Sequence, residues 1–150
     1  MRTVIQRVKE ASVFIDGKCK AVIGEGLLIL AGFETSDTGQ DLEWMVHKIL
    51  NLRIFDDPQG VMNLSVLQAG GQWLVVSQFT LHASTKKGNR PSYIKAAVPE
   101  IAVPLYESFC TLLEDQSGIK LQTGIFGAAM EVKLTNNGPV TIIMDSKNRE

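Results

Sequence analysis

The chain has 150 residues, of which 45% are hydrophobic and 21% charged, and its formal net charge is −1. This length and apolar content predict one globular domain over residues 1–150 with a sizeable core. The near-neutral charge argues against bulk nucleic-acid binding, and the sequence has neither an apolar run of membrane-spanning length nor a secretory leader pattern. We therefore expect a cytoplasmic protein that binds neither membranes nor DNA.

The first third of the chain has the pattern of β-strands joined by tight turns. Residues 2–15 predict a long strand, and Asp16 and Gly17 predict a two-residue hairpin turn, because the central positions of such turns favour positive φ. A second strand is predicted over Lys18–Ile23. The segment Gly24-Glu25-Gly26 then predicts a turn into the apolar run at 27–31.

Two stretches have the pattern of helices. The segment from Ser36 to Thr38 offers N-caps for a helix with apolar side chains at spacings of three and four, namely Leu42, Met45, Val46, Ile49 and Leu50. A second helix is predicted over about residues 102–116, with Pro104 in its first turn and Gly118 as its C-terminal stop. The two helices provide apolar faces that can cover a sheet.

Two motifs stand among the remaining strands. A strand predicted over residues 73–81 ends in Ser77-Gln78-Phe79-Thr80-Leu81, which supplies an amide and two hydroxyls. Strands predicted over about residues 130–134 and 140–144 flank Asn137-Gly138-Pro139-Val140-Thr141. Because strands outnumber helices and hairpins join most of them, the sequence predicts an α+β fold of largely antiparallel sheet.

Gly138 and Pro139 form an unusual pair for a strand region. Proline removes a ladder donor, and the preceding glycine has no Cβ to shield its carbonyl. Cis and trans forms of the Gly138-Pro139 bond both remain open. One interpretation is a site built from main chain, and the other is a simple hairpin tip.

A search for common catalytic arrangements finds no nucleophile elbow, zinc-binding helix motif or P-loop. His82 lies close to Thr80 and is a candidate base, or alternatively a solvent-facing loop histidine. The N–H groups of Phe79 and Thr80 could form an oxyanion hole, or Gln78 and Thr80 could simply be polar positions that alternate with Phe79 on a half-buried strand. Cys19 and Cys110 predict two reduced, mostly buried thiols, and we expect no metal or cofactor.

The chain resembles the D-aminoacyl-tRNA deacylases, which are homodimeric proofreading enzymes of translation. The similarity extends over almost the whole chain, and both signature motifs are intact. The matching stretches are Ile5-Gln6-Arg7-Val8, Arg53-Ile54-Phe55, Ser77-Gln78-Phe79-Thr80-Leu81, Lys87-Gly88-Asn89-Arg90-Pro91-Ser92, Thr123-Gly124-Ile125-Phe126 and Asn137-Gly138-Pro139-Val140-Thr141. The resemblance implies a single-domain, barrel-like deacylase fold with mixed sheets and two main helices.

The resemblance also implies an activity, the hydrolysis of the ester bond in D-aminoacyl-tRNA and in glycyl-tRNA mischarged on tRNA-Ala. Gly138 and Pro139 would enter the active site of the other subunit, where their carbonyls would hold the substrate's α-ammonium group. They would leave no room for an L side chain, so selection would be steric. Arg7 would fix this motif through its guanidinium group.

Further roles follow from the same resemblance. Ser77, Gln78, Phe79 and Thr80 would form the catalytic strand end, with backbone oxyanion donors and the 2′-hydroxyl of the terminal adenosine activating water. Thr80 would position rather than attack, because a threonine without a base is a poor nucleophile. Phe126 and Met130 would bind the adenine, and the cations of the loop after Thr80 would contact phosphates: Lys86, Lys87 and Arg90.

Two other classes of function remain open from the residues. One is a non-catalytic module that binds RNA ends, and the other is an esterase or amidase for small D-amino-acid derivatives. The intact motifs favour the deacylase over the module. The basic loop and the lack of a neighbouring base weigh against the esterase.

Overall fold

The first strand organises the sheet in the computed structural model, which describes residues 1–149. The strands and helices follow the chain as β1 Arg2–Ile15, β2 Lys18–Ile23, β3 Gly26–Gly32, α1 Gly39–Asn51, β4 Phe55–Asp56, β5 Met62–Leu64, β6 Gln72–Ser77, α2 Pro99–Ser117, β7 Gln122–Thr123 and β8 Glu131–Asp145. Strand β1 pairs antiparallel with β2, β3 and β8. Its length allows it to hold several partners at once.

The main sheet is mixed and curls towards a barrel. Strands β3 and β6 pair in parallel, as do β6 and β7, while β4 and β5 form a separate small hairpin. Parallel neighbours need crossover connections, and α1 and α2 lie in those connections. Strand β2 approaches β6 and β7, so the sheet nearly closes. This confirms the predicted α+β fold with two helices and a barrel-like sheet.

The core has two parts because the central strands are buried on both faces. Leu27 and Ile29 of β3 face the helices, where they join Phe109 of α2, and Leu28 points into the curl of the sheet. All four side chains are at most 1% exposed. A continuous apolar run is the expected pattern for a strand covered on both sides. Among residues 1–149, no helix is both long and apolar enough to cross a membrane.

Local turn and cap signals gave the right boundaries. Asp16 and Gly17 have φ values of 50° and 73°, as the predicted hairpin turn requires. Thr38 caps α1, with its N–H and its hydroxyl both donating to the Asp41 carboxylate. Gly118 ends α2 in the left-handed conformation. These features depend on a few neighbouring residues, so the sequence contains enough information to predict them.

The strand predicted over residues 73–81 is too long. Strand β6 ends at Ser77, and Phe79–His82 forms one turn of 3-10 helix. The last backbone bond to the neighbouring strand runs from the Gln78 N–H to the Ala31 carbonyl, and the Leu81 N–H then turns back to Gln78. Phe79 and Leu81 alternate as a strand would, so their pattern did not reveal the turn.

Pro104 does not lie in the first turn of α2. The helix begins at Pro99, which takes the early position that proline tolerates, and Pro104 lies inside it. Proline at that point leaves one backbone carbonyl of the preceding turn without its helical donor. The earlier start brings three more residues into the helix than the sequence pattern indicated.

The two strands predicted around Gly138 and Pro139 are one strand. Strand β8 runs through both and pairs with β1 on either side of them. The hairpin interpretation is therefore wrong, because β8 continues along β1 and does not fold back. The interruption is a bulge in a continuous ladder, and its structure is described with the site below.

The prediction of two mostly buried thiols is wrong for one of the cysteines. Cys19 is exposed on β2, whereas Cys110 lies half-buried on α2. Burial raises the pKa of Cys110 to about 11, against an opposing hydrogen bond with Tyr106 and with a further contribution from Glu114 and Glu107. Thiolates, not thiols, react with electrophiles and disulfides.

We therefore expect only Cys19 to react promptly with a chromogenic disulfide reagent at pH 8, where about a thousandth of Cys110 is thiolate. Cys110 should react at least about a hundredfold more slowly in the native protein and at an ordinary rate after denaturation. Cys19→Ser should abolish the fast phase, and Cys110→Ser should preserve it. Two thiols reacting at one rate in the native protein would contradict this assignment.

Candidate active site

A cavity of about 610 Å³ opens where β6 ends. Its walls come from the ends of β3 and β6, the segment leading into α2 and the segment between β7 and β8, and they include Ala31, Gly32, Phe33, Ser77, Gln78, Phe79, Tyr93, Ala96, Ala97, Val98, Phe126, Gly127, Met130 and Val132. The lining is largely apolar, with its polar groups at the Ser77 end. A mostly apolar cleft with a few grouped polar atoms is typical of a small-ligand site.

The polar end of the cavity is the start of the 3-10 turn. Within residues 1–149, no protein acceptor takes a hydrogen bond from the N–H of Phe79 or Thr80. Helix starts leave such donors unpaired. The Gln78 amide donates to the Thr80 hydroxyl at 2.6 Å, which orients that side chain. The Phe79 ring is 56% exposed and meets the Tyr93 ring edge-on at 5.1 Å between centroids.

An aromatic cluster supports the cavity from below. The Tyr106 hydroxyl donates to the Val75 carbonyl at 3.1 Å, two residues before Ser77. The Tyr106 ring also contacts Phe126, a cavity residue, at 5.8 Å between centroids, and Phe33 at 6.4 Å. Burial raises the pKa of Tyr106 well above its usual range, so its hydroxyl stays protonated and donates. Tyr106 thus links α2 to two walls of the cavity.

A side chain from β1 holds the 3-10 turn. Arg2 donates to the Leu81 carbonyl at 2.7 Å and forms an ion pair with Asp145 at 2.8 Å. His82 is 2% exposed, and its Nδ1 lies 2.9 Å from Oε1 of Glu34 in an orientation that makes no hydrogen bond. The expectation of a solvent-facing His82 is therefore wrong. His82 packs inside the protein and does not itself line the cavity.

The bulge in β8 is the second unusual feature. Thr141 pairs with Gln6 and Asn136 pairs with Val8, so β1 contributes one residue between these pairs and β8 contributes four. We call residues 137–140 the bulge. The single residue opposite it is Arg7. Gly138 has a φ of 129°, and the Gly138-Pro139 peptide bond is cis.

Arg7 ties the bulge to the rest of the domain. Its Nε donates to the Asn137 carbonyl at 3.0 Å and its Nη1 to the Ile54 carbonyl at 2.7 Å. The same Nη1 lies 3.2 Å from the Asp56 carboxylate. Arg7 is 6% exposed, so these contacts replace the water that the guanidinium group loses on burial.

The predicted residues fall into three groups. Ser77, Gln78, Phe79, Phe126 and Met130 line the cavity, and Thr80 follows directly in the 3-10 turn. Arg7, Gly138 and Pro139 lie together at the bulge, away from the cavity. The exposed loop between the paired residues Ser84 and Ser92 contains the three predicted cations: Lys86, Lys87 and Arg90.

The cavity and the bulge are far apart within one chain. Val132 lines the cavity, and the six residues from there to Gly138 span about 20 Å of extended strand. No bulge residue lines the cavity. The sequence pattern does not predict this separation, because both motifs follow strand-like runs and the pattern divides β8 into two short strands.

Some cavity residues were missed by the sequence analysis. Tyr93 and the short run Ala96-Ala97-Val98 form a wall before α2. The only available signal was a run of small side chains just before a helix, which leaves space at a surface but indicates no chemistry. Their role depends on the fold bringing them opposite Phe126 and Met130.

Comparison with known families gives a clear result. The family model described as "D-Tyr-tRNA(Tyr) deacylase" matches residues 4–145. The match includes the cavity, the 3-10 turn and the bulge. The chain therefore belongs to the D-Tyr-tRNA(Tyr) deacylase family.

Individual relatives agree with that assignment. The curated D-aminoacyl-tRNA deacylases of Bacteroides thetaiotaomicron and Parabacteroides distasonis are 64% and 63% identical to this chain over 150 residues, covering 100% of both sequences. The solved structure of a "c-Myc DNA Unwinding Element Binding Protein" is 41% identical with a TM-score of 0.91, covering 97% of this chain and 98% of that one. A probable eukaryotic D-amino acid tRNA deacylase shares the fold, with a TM-score of 0.83 at 17% identity over 95% of this chain and 97% of that one.

The contribution of the Tyr106 hydrogen bond to the cavity wall can be measured as a change in the free energy of unfolding. Tyr106→Phe keeps the ring and removes the bond to Val75, whose carbonyl still accepts from the Gly124 N–H. We expect the free energy of unfolding to fall by about 0.5–1.5 kcal/mol. The matched control Tyr93→Phe alters an exposed ring and should stay within about 0.5 kcal/mol. Equal effects in urea unfolding would refute the supporting role.

Proposed function

We propose that the chain hydrolyses the ester bond of D-aminoacyl-tRNA and releases the free D-amino acid and tRNA. One observation carries the proposal: Phe79 lines the cavity, and its N–H and that of the next residue, Thr80, are unpaired at the start of the 3-10 turn, in a member of the D-Tyr-tRNA(Tyr) deacylase family. The enzyme is thus an aminoacyl-tRNA deacylase, a carboxylic ester hydrolase that proofreads translation. Its place is the cytoplasm, where its substrate is made.

The N–H groups of Phe79 and Thr80 form the oxyanion hole. Water adds to the ester carbonyl, and the negative charge that develops on its oxygen is stabilised by these two donors. Each donor of this kind contributes roughly a hundredfold or more in rate. The tetrahedral species then collapses, the bond to the ribose oxygen breaks, and the ribose hydroxyl leaves with a proton.

The free 2′-hydroxyl of the terminal adenosine activates the attacking water. Among the described residues, the cavity lining contains no His, Asp, Glu, Lys or Cys side chain. His82 is buried beneath the turn and is not the base in this scheme. Thr80 acts as a positioning residue, with its hydroxyl oriented by the Gln78 amide.

The bulge of a second copy of the chain enters the site and selects the substrate. Its carbonyls hold the α-ammonium group of the amino acid and leave no room for a side chain of L configuration. The separation of about 20 Å between cavity and bulge supports a homodimer in which each site takes its bulge from the partner. Strand β8 also has an outer edge free for such contact, because β1 is its only strand partner among residues 1–149.

Selection of this kind accepts many substrates. Main-chain atoms of the bulge occupy the place where any L side chain would lie, and they make no contact specific to one side chain. D-residues of different sizes are therefore accepted. Glycine has no side chain to reject, and glycyl-tRNA mischarged on tRNA-Ala is therefore a second substrate. Arg7 keeps the bulge in place by holding the Asn137 carbonyl against the Ile54–Asp56 segment.

The apolar part of the cavity binds the terminal adenosine. Phe126 and Met130 form a platform for the adenine ring, and bases of single-stranded RNA ends are commonly held by such stacking. Tyr106 supports Phe126 from behind. The cations of the 84–92 loop, Lys86, Lys87 and Arg90, are exposed and contact phosphates of the acceptor stem.

The proposed function predicts a difference between isomers. Purified protein should release amino acid rapidly from D-tyrosyl-tRNA and not from L-tyrosyl-tRNA. Gly138→Ala should lower the D rate about tenfold or more, since the added Cβ would lie 2.7 Å from Cγ2 of Val140 and 3.1 Å from Nη2 of Arg7. Gly60→Ala is the matched control, because Gly60 also has a positive φ but open space around it.

Each other outcome identifies an alternative. Binding of both isomers without turnover would indicate an RNA-end binding module. Equal hydrolysis of both would refute steric rejection. Hydrolysis of small D-amino-acid esters with no dependence on tRNA would indicate an esterase.

The basic loop predicts a change in salt dependence. Replacing Lys86, Lys87 and Arg90 by alanine removes three phosphate contacts, so the slope of log Kd against log salt for tRNA should become shallower by about 2 to 3. A control triple variant takes the same charge from exposed lysines on β1 and β2, namely Lys9, Lys18 and Lys20. Equal slopes in the two variants would contradict the assignment of the loop.

A further inference from the structure

The side chain of Asn136 joins the two ends of the bulge, and the function proposed above gives it no role. Asn136 is the last paired residue before the bulge, and its Oδ1 accepts a hydrogen bond from the Val140 N–H at 2.9 Å. Val140 is the last residue of the bulge. One side chain therefore joins the two ends of the segment that contains Gly138 and Pro139.

The other end of the Asn136 amide is also engaged. Its Nδ2 donates to the Thr141 hydroxyl at 3.2 Å, and the Gln6 amide donates to the same hydroxyl at 3.3 Å. The Val140 N–H can only donate, so it fixes Oδ1 as the acceptor and directs Nδ2 to Thr141. Gln6 and Thr141 form the pair that resumes the ladder after the bulge. The Asn136 amide thus spans the opening that the four extra residues create.

Arg7 and Asn136 hold different parts of the bulge. Arg7 contacts the Asn137 carbonyl and the Ile54–Asp56 segment, so it fixes the bulge relative to the domain. Asn136 contacts Val140, so it fixes the shape of the bulge itself. Gly138 and Pro139 lie exposed between these two contacts. Their carbonyls keep their positions only while the segment's ends stay at a constant separation.

We propose that Asn136 is a positioning residue that sets the specificity of the bulge, with Thr141 and Gln6 fixing its amide. The inference rests on the proposed function, because it assigns Asn136 to the discrimination between D and L substrates. Without the clamp, the bulge samples more shapes, its carbonyls hold the α-ammonium group less well, and an L side chain finds room. The rate on D substrate falls, and the ratio of D to L rates narrows.

The test compares Asn136→Ala with Asn136→Asp. Alanine loses both contacts, whereas aspartate keeps an acceptor for the Val140 N–H and a second oxygen to which the Thr141 hydroxyl can donate. For N136A we expect the D to L ratio of kcat/KM on tyrosyl-tRNA to narrow about tenfold or more. For N136D the ratio should stay within about threefold of the ratio measured for the original protein. Amide exchange at Val140 should accelerate about tenfold or more in N136A only.

Threonine variants provide a matched control and a safeguard. Thr141→Val removes the hydroxyl that the Asn136 amide contacts, while Thr135→Val removes one on the same strand that contacts Glu10 outside the bulge. T141V should narrow the ratio about threefold, and T135V should leave it unchanged. If N136A does not fold, T141V decides the question, and an unchanged ratio in it overturns the proposal.

The outcomes separate this inference from the function on which it rests. If N136A kept the original D to L ratio of kcat/KM, or the original rate of amide exchange at Val140, the role of Asn136 would be refuted. The proposed function would still stand in that case, provided that Gly138→Ala impairs the enzyme. The role of Asn136 would also be refuted if N136D narrowed the D to L ratio as much as N136A, because the oxygen that accepts from the Val140 N–H would then make no difference. Failure of the original protein to distinguish the isomers would refute the proposed function itself.

Discussion

The buried guanidinium group of Arg7 is the contact on which the arrangement of the bulge depends. It is the single residue of β1 opposite four residues of β8, and a ladder broken in this way leaves backbone carbonyls without strand partners. Arg7 donates to one such carbonyl, that of Asn137, and to the Ile54 carbonyl beside β4, and its charge is met by Asp56. A lysine could not make these divergent contacts, because it has one nitrogen and no planar fork. The bulge is therefore held in one conformation by a charged side chain that is itself buried away from water.

The fold separates the chemistry into two parts and gives each its own support. The cavity depends on the end of β6, where the ladder stops at Ser77 and a 3-10 turn begins. That turn is held by Arg2 of β1, and the adjoining wall is supported by Tyr106. The bulge depends on β1 and β8. Because the two parts share no lining residue, a site that needs both must combine two chains, which is the reason for proposing a composite site.

The sequence predicted what depends on near neighbours. Asp16 and Gly17 determine a turn by themselves, and Thr38 with Asp41 determines a helix start, so these boundaries were correct. The signature motifs were found because their residue order is specific. The shape of the motifs was not predictable in the same way. Phe79 and Leu81 alternate like strand residues, and only the pairing of β6 with β3 in the fold shows where the strand ends. The burial of His82 likewise depends on what packs over the turn, which is a tertiary fact.

Strand β8 pairs with β1 both before and after the bulge, and this has a consequence for how the bulge can change over generations. Adding or deleting one residue between Asn136 and Thr141 would either resize the bulge or shift one flank along β1. A shift of one residue turns every side chain of that flank to the opposite face of the sheet. Length variation, the usual way in which surface loops diversify, is therefore closed to this segment. Lineages that carry this fold are thus expected to inherit the bulge as a unit and to diversify elsewhere.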